Sequence, residues 1–283
     1  MNLALTMARR LMLLICIFVI GFFIVGVLST VVVKVFGAST PALRIITVFQ
    51  DILVFILPAI VTALMVTRRG ATLLSIDRAP SLNPTLIAIC TLLCSIPAMN
   101  YVIWLNTNIP LPQHIHDALM DMEQSANSTI ETLMGPHTVP NLIVSVLIVG
   151  VLAGLSEEIF FRGGLQRLLV TGGVNHHVAI WTTAFFFSML HMQFFGLVPR
   201  MLLGAFFGYL LYWTGSLWIP ILLHALNNSI YVVAGWMSYG NDSPSAVDAI
   251  GSGTDIAYVA ISVVLTAMGL VLLQRTKTDN SEQ

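Results

Sequence analysis

Charge is what this sequence has least of. Only 9% of its 283 residues are Asp, Glu, Lys or Arg, against about a quarter in soluble domains, so the chain cannot cover a water-facing surface. A formal net charge of −1 excludes a nucleic-acid partner, whose phosphates demand a basic face. Cysteine is nearly missing as well. Cys16, Cys90 and Cys94 all lie inside apolar runs, so no disulfide framework is implied. Cys90 and Cys94, one helical turn apart, read as packing residues. There is no internal repeat, no low-complexity tract and no separate soluble domain. What remains is apolar: 57% of residues are hydrophobic and the mean hydropathy is +0.90. Residues 1–283 therefore read as one all-α, polytopic membrane domain whose surroundings are the lipid bilayer.

Windows of about 20 apolar residues mark candidate spans. They fall at 11–33, 45–66, 84–105, 140–162, 178–195, 197–214, 216–236 and 256–273, which predicts eight transmembrane helices. The first follows Arg9 and Arg10 like a signal peptide, but its apolar stretch is too long and a retained anchor is expected. Arg9, Arg10, Arg68, Arg69, Arg78, Arg162, Arg167, Arg275 and Lys277 fall on one side of such a bundle. Only Lys34, Arg44 and Arg200 fall on the other. Basic residues stay on the cytoplasmic side, so both termini are expected there, in what reads as a bacterial plasma membrane. The 106–139 loop has no Lys or Arg and carries Asp117, Asp121, Glu123 and Glu131. It is expected outside. Ile115, Leu119, Met122, Ala126, Ile130 and Leu133 recur in it at helical spacing, which predicts a helix lying on the membrane face. Ser128 and Glu131 have the spacing of a capping box and mark a helix restart there.

Against this background the stretch SEEIFFRGG, from Ser156 to Gly164, is out of place. Ionisable residues inside a span are costly and mark function by default, although three charges can also simply end a helix at the headgroups. Glu158 and Arg162 are four apart and share a helix face, so they can neutralise each other. Glu157 points elsewhere. Phe187 and His191 are four apart on the next span, and His224 and Asn228 four apart on the seventh, with Asn227 turned away. Alone, either of these pairs is as well explained by packing or by helix–helix hydrogen bonding. Asp51 lines the same cavity as these groups, pairs with Arg44 or faces a water-filled groove.

Together the pairs are more specific. Glu157 lies 13 residues, roughly 20 Å of helix, before the turn that begins near Val170 and holds Gly172-Gly173, and His191 lies 14 residues, about 21 Å, past His177 on the other side. The hairpin brings them to one depth. His224, 8 residues or about 12 Å past Gly215-Ser216, joins them if the hairpin helices project beyond the cytoplasmic surface. The four polar groups are expected to converge toward the cytoplasmic side, in a four-helix catalytic core over 140–236.

EExxxR, FxxxH and HxxxN in this order on successive membrane helices resemble the CAAX prenyl endopeptidase and bacteriocin-processing family of intramembrane proteases, over about residues 150–235. The resemblance implies an intramembrane endopeptidase acting on a peptide or protein lipid-modified near its C-terminus. It implies Glu157 as the water-activating carboxylate assisted by His191, and His224 with Asn228 as the pair stabilising the oxyanion. Glu158 and Arg162 become a supporting ion pair, with Phe187 beside them.

The residue types suit amide hydrolysis on their own account. Burial brings a carboxylate toward the range of a useful base, and carboxamide and imidazole N–H groups can meet a developing oxyanion. Glu157, His191 and His224 are also an ordinary donor set for one catalytic divalent metal, zinc, with an open position. HExxH and GxSxG motifs are missing, so neither a zincin helix nor a serine elbow is expected. Two readings from other classes use the same residues. One is a non-proteolytic family member acting in bacteriocin immunity or partner binding; the other is a proton- or ion-coupled transporter, which should also show broken helices in an inverted half.

Overall fold

The computed structural model describes residues 3–240, 245–253 and 256–281; the side chain of Lys277, one of the basic residues expected inside, lies outside that description. The described residues are helical, with no strand among them. In chain order the helices are α1 (Leu3–Phe36), α2 (Thr40–Val66), α3 (Gly70–Leu74), α4 (Leu82–Thr107), α5 (Gln113–Met134) and α6 (Val139–Thr171). They continue with α7 (His176–Met189), α8 (Leu197–Thr214), α9 (Trp218–Met237), α10 (Ala246–Ala249) and α11 (Ile256–Ser281).

Six of these, α1, α2, α4, α6, α9 and α11, are long and apolar enough to cross a membrane. Of the other two expected spans, the one at 197–214 has the bounds anticipated and the one at 178–195 is shorter. The segment expected to span 178–195 is the 14-residue helix α7, and α8 has 18 residues. They reach about 21 and 27 Å, short of a hydrocarbon core of roughly 30 Å. Helix α7 stops early because Met192 takes a left-handed backbone conformation, φ 54°. Side chains then fasten the turn. Asn106 Nδ2 donates to the carbonyls of Phe194 and Phe195, and the Ser188 hydroxyl donates to Leu197 O at 2.6 Å.

The predicted helix of the 106–139 loop is present as α5, and it runs through Ser128 without a restart. The Ser128 hydroxyl bonds Ser125 O inside the helix instead of capping a new one. Arg44 does not pair with Asp51. It donates to Leu133 O and Met134 O and to Asn141 and Ser145, so it caps the C-terminal carbonyls of α5 and ties them to α2 and α6.

Two apolar clusters flank the middle of α6. Leu14, Phe160, Phe161, Leu168 and Phe187 join α1, α6 and α7; Ala88, Leu92, Phe207, Leu210, Ile219, Leu223 and Leu273 join α4, α8, α9 and α11. Helix α9 reaches α6 through glycine. A Cβ on Gly154 would lie 2.8 Å from Ala225 N, and one on Gly150 would strike Ser229 Oγ. This is the small-residue contact that lets membrane helices meet backbone to backbone, and it sets the register of His224 and Asn228 against Glu157. Gly154→Leu is expected to force α9 away and lower the thermal stability in detergent by several degrees, since overpacking costs about 1–3 kcal/mol. An unchanged melting temperature would show that the contact does not carry the register.

Helices α2 and α6 are also locally widened. Residues Asp51–Ile56, Val146–Leu152 and Ile159–Gln166 form π-helical turns, and Leu57 N–H reaches back five residues to Ile52 O. Such turns are rare and gather at functional sites. Here they bracket Ser156, Glu157 and Glu158, which sit in the α-helical turn between the two in α6.

Candidate active site

Glu158 and Arg162, four apart as the sequence suggested, form an ion pair of 2.6 Å in which neither side chain is exposed. A charge so deep needs every partner it can find. Arg162 donates a second bond to Gly204 O at 2.7 Å and stacks under Phe187, its guanidinium carbon 4.6 Å from the ring centroid. Gly204 is required for that approach, because a Cβ there would come within 3.0 Å of the guanidinium.

Spacing alone did not reveal what Glu158 does next. The same oxygen that holds Arg162 also lies 2.8 Å from His224 Nδ1. An ionised carboxylate only accepts, so Nδ1 carries the proton and His224 Nε2 is turned outward. It faces Glu157 Oε2 at 3.7 Å. The ring is wedged between Phe207, 5.0 Å away and stacked, and Phe187, 5.6 Å away and edge-on. His191 is oriented in the same manner: its Nδ1 lies 2.9 Å from Phe187 O, an acceptor, which leaves Nε2 free. It sits in the turn after α7 rather than on the helix.

Glu157 differs from its neighbour. Its Oε2 is buried and has no hydrogen-bond partner. Behind it the Ser156 hydroxyl donates to Asp51 Oδ1 at 2.9 Å, so Asp51 is held against α6. In front of it lies a cavity of about 490 Å³, onto which His191, Asn227, Asn228, Tyr231 and Arg200 also open. Asn228 is tethered by Val149 O at 3.4 Å and by the Asn227 amide at 3.3 Å. Asn227, expected to face away, therefore lines the cavity beside it. Arg200, expected only as a basic residue of the outer side, lines it too.

The cavity does not face the end of the bundle that the sequence suggested. Glu157 is 18 residues from Val139 and 14 from Thr171, so it stands near the middle of α6. Most of the lining comes from the halves nearer α5: Met99 and Ile103 of α4, Val149 and Ala153 of α6, Asn228 and Tyr231 of α9. Ile130 and Met134 of α5 roof it. The opposite end is shut by the 67–81 segment. Leu217 N–H donates to Ser75 O, the Ser216 hydroxyl to Arg78 O, the Trp218 indole to Ile76 O and Arg167 to Leu73 O. The lining therefore lies mostly toward α5, whereas the sequence suggested the basic end of the bundle.

Glu157, His191 and His224 are suitable donors for zinc. Among the described residues, however, no three His, Cys, Asp or Glu side chains gather closely enough to hold a metal ion. The donor types suit a metal and their present spacing does not.

Residues 139–230, which contain all three polar motifs, match the family model described as type II CAAX prenyl endopeptidase Rce1-like. Over this segment the chain is similar to that family. No curated protein and no solved structure matches it. The Rce1-like family is a protease family, so residues 139–230 are similar to a segment of membrane proteases. The match ends before α11 and begins after α5, so the roof of the cavity and its α4 wall lie outside the Rce1-like segment.

Proposed function

We propose that the protein is an intramembrane endopeptidase in which Glu157 takes a proton from a water molecule as that water attacks a peptide carbonyl. The observation that carries this reading is the contrast between two adjacent acids. Glu158 is fully committed to Arg162 and His224, whereas Glu157 has an unpartnered oxygen facing a cavity. His191 Nε2 assists in holding the water. His224, carrying a second proton taken up from solvent before the reaction and kept throughout it, donates through Nε2 to the developing oxyanion while Glu158 balances its charge. The Asn228 amide is the second donor. The nitrogen of the cleaved bond receives its proton back from Glu157. Phe187 supports the arrangement by packing Arg162, His191 and His224 together.

The substrate is proposed to be a peptide or protein lipid-modified near its C-terminus. A second cavity of about 430 Å³, walled by Trp181, Phe206 and Trp213, shares Ser95, Met99 and Leu203 with the first and suits an apolar chain. With both termini cytoplasmic, as the distribution of basic residues implies, the cavity opens toward the extracytoplasmic face.

A cleavage screen tests this. Purified protein in nanodiscs is incubated with lipidated peptides and the products are read by mass spectrometry. Wild type is expected to cleave, with turnover unchanged after dialysis against EDTA and with less than stoichiometric zinc. Asn228→Ala is expected to stay folded and to lose about 100- to 1000-fold in turnover, the usual cost of one oxyanion donor. Stoichiometric zinc in wild type, lost together with activity in both His191→Ala and His224→Ala, would replace the metal-free reading. No cleavage by wild type would sink the peptidase assignment.

A further inference from the structure

Among the described residues, Arg200 is the one permanently charged cavity-lining side chain that the proposed hydrolysis does not use. It stands in the first turn of α8, where the helix dipole offers a cation nothing favourable. Gln193 Oε1 accepts from its Nη2 at 2.9 Å, and Gln193 Nε2 in turn donates to Glu123 Oε1 of α5 at 2.8 Å. The guanidinium is thus aimed by a relay that crosses from the roof to the wall of the cavity. Gly196 lies under it, so close that a Cβ would come within 2.7 Å of Nη2.

Aiming is all the relay accomplishes. Among the described residues no carboxylate lies within 4.0 Å of Arg200, in contrast to Arg162. Its Nη1 is buried and has no hydrogen-bond partner, and one oxygen of Glu123 is left in the same condition. The charges of Glu123 and Glu157 reach Arg200 without bonding it. A guanidinium held in an apolar cavity with a free donor face is costly, and the planar fork is suited to a carboxylate above other groups.

We propose that Arg200 is a binding residue for a carboxylate of the substrate peptide, which it anchors on the wall of the cavity that also holds Glu157 and Asn228. The carboxylate belongs either to the chain terminus or to an acidic side chain. The proposal rests on reading the cavity as a peptide site, but it does not require hydrolysis. It also gives a reason for the π-helical turns on either side of Glu157: a peptide pinned at Arg200 must still lay its backbone across α6.

The test is binding by full-length Glu157→Gln protein, so that turnover is not needed, in phosphatidylcholine nanodiscs. Three dansylated apolar hexapeptides are titrated by fluorescence anisotropy: one with a free terminal carboxylate, its C-terminal amide, and that amide with one leucine replaced by glutamate. At least one acidic peptide is expected to bind about 10- to 100-fold more tightly than the neutral amide, the scale of a charge-assisted hydrogen bond. Which of the two does so identifies the source of the carboxylate. Adding Arg200→Gln should erase the difference, and adding Arg200→Lys should keep most of it. Equal binding of all three peptides, or a preference that survives Arg200→Gln, overturns the proposal. So does Arg200-dependent binding of dihexanoyl phosphatidylglycerol without discrimination among the peptides, which would assign the residue to lipid phosphate. Intact Arg200-dependent binding in a wild-type protein that cleaves nothing would sink the peptidase reading and leave the anchor standing.

Discussion

Glu157→Gln is expected to reduce turnover by about 100- to 10,000-fold, the usual contribution of a general base, while the protein stays folded. Replacing the carboxylate by an amide removes the unpartnered oxygen beside the cavity that takes the water's proton in the proposed reaction. It leaves the Glu158, Arg162 and His224 set untouched. The size and shape of the side chain are nearly conserved, and its buried oxygen had no partner to lose. The measurement is initial rate in nanodiscs alongside a melting curve. A variant that cleaves like wild type removes Glu157 from the chemistry, and a variant that unfolds shows that its role is structural.

Glu158→Gln should fail differently. Removing one member of a buried ion pair strands the other, at a typical cost of about 3–5 kcal/mol, so the melting temperature should fall sharply. Activity should fall as well, because the same oxygen fixes the tautomer of His224 and balances the charge on that ring. The second effect separates this structure from a simple ion-pair picture. In it Glu158 would matter to Arg162 alone, and whatever protein remained folded would retain normal kcat. A folded fraction with kcat lowered at unchanged KM supports the bond to His224; a folded fraction with normal kcat contradicts it.

How much of this could be read beforehand depended on how local each interaction is. The Glu158–Arg162 pair is a property of helix geometry four residues apart, and it was legible. So was the gathering of EExxxR, FxxxH and HxxxN, because the turns between the helices are short. The second bond of Glu158 was not legible, since 66 residues separate it from His224 and the contact depends on glycines whose spacing only matters once α9 is in place. The end of α7 escaped for a similar reason. Phe194 and Phe195 prolong an apolar run, yet Met192 turns left-handed and Asn106 of α4 claims their carbonyls. Arg200 counted only as one of three basic residues on the less basic side. The chain around it gives no hint of the Gln193–Glu123 relay, which joins a turn to a helix some 70 residues earlier.

The intrahelical partnership of Glu158 with Arg162 has a consequence for biogenesis. Helix α6 emerges from the ribosome before α8 and α9 exist, so when it partitions into lipid neither Gly204 nor His224 is available to help. A lone charge at the centre of such a segment opposes insertion by about 2.5–3.5 kcal/mol on the translocon scale. Because Glu158 and Arg162 lie on one face of the same helix, that acid brings its own counter-ion and the two can enter as a neutral pair. This leaves Glu157 as the one acid of the turn to be inserted without one. Moving the arginine's charge to a later helix, even one that restored every contact of the finished site, would leave α6 to insert with its acids unbalanced. Such a redesign should show its defect in membrane insertion efficiency during synthesis, before any folded protein could be assayed.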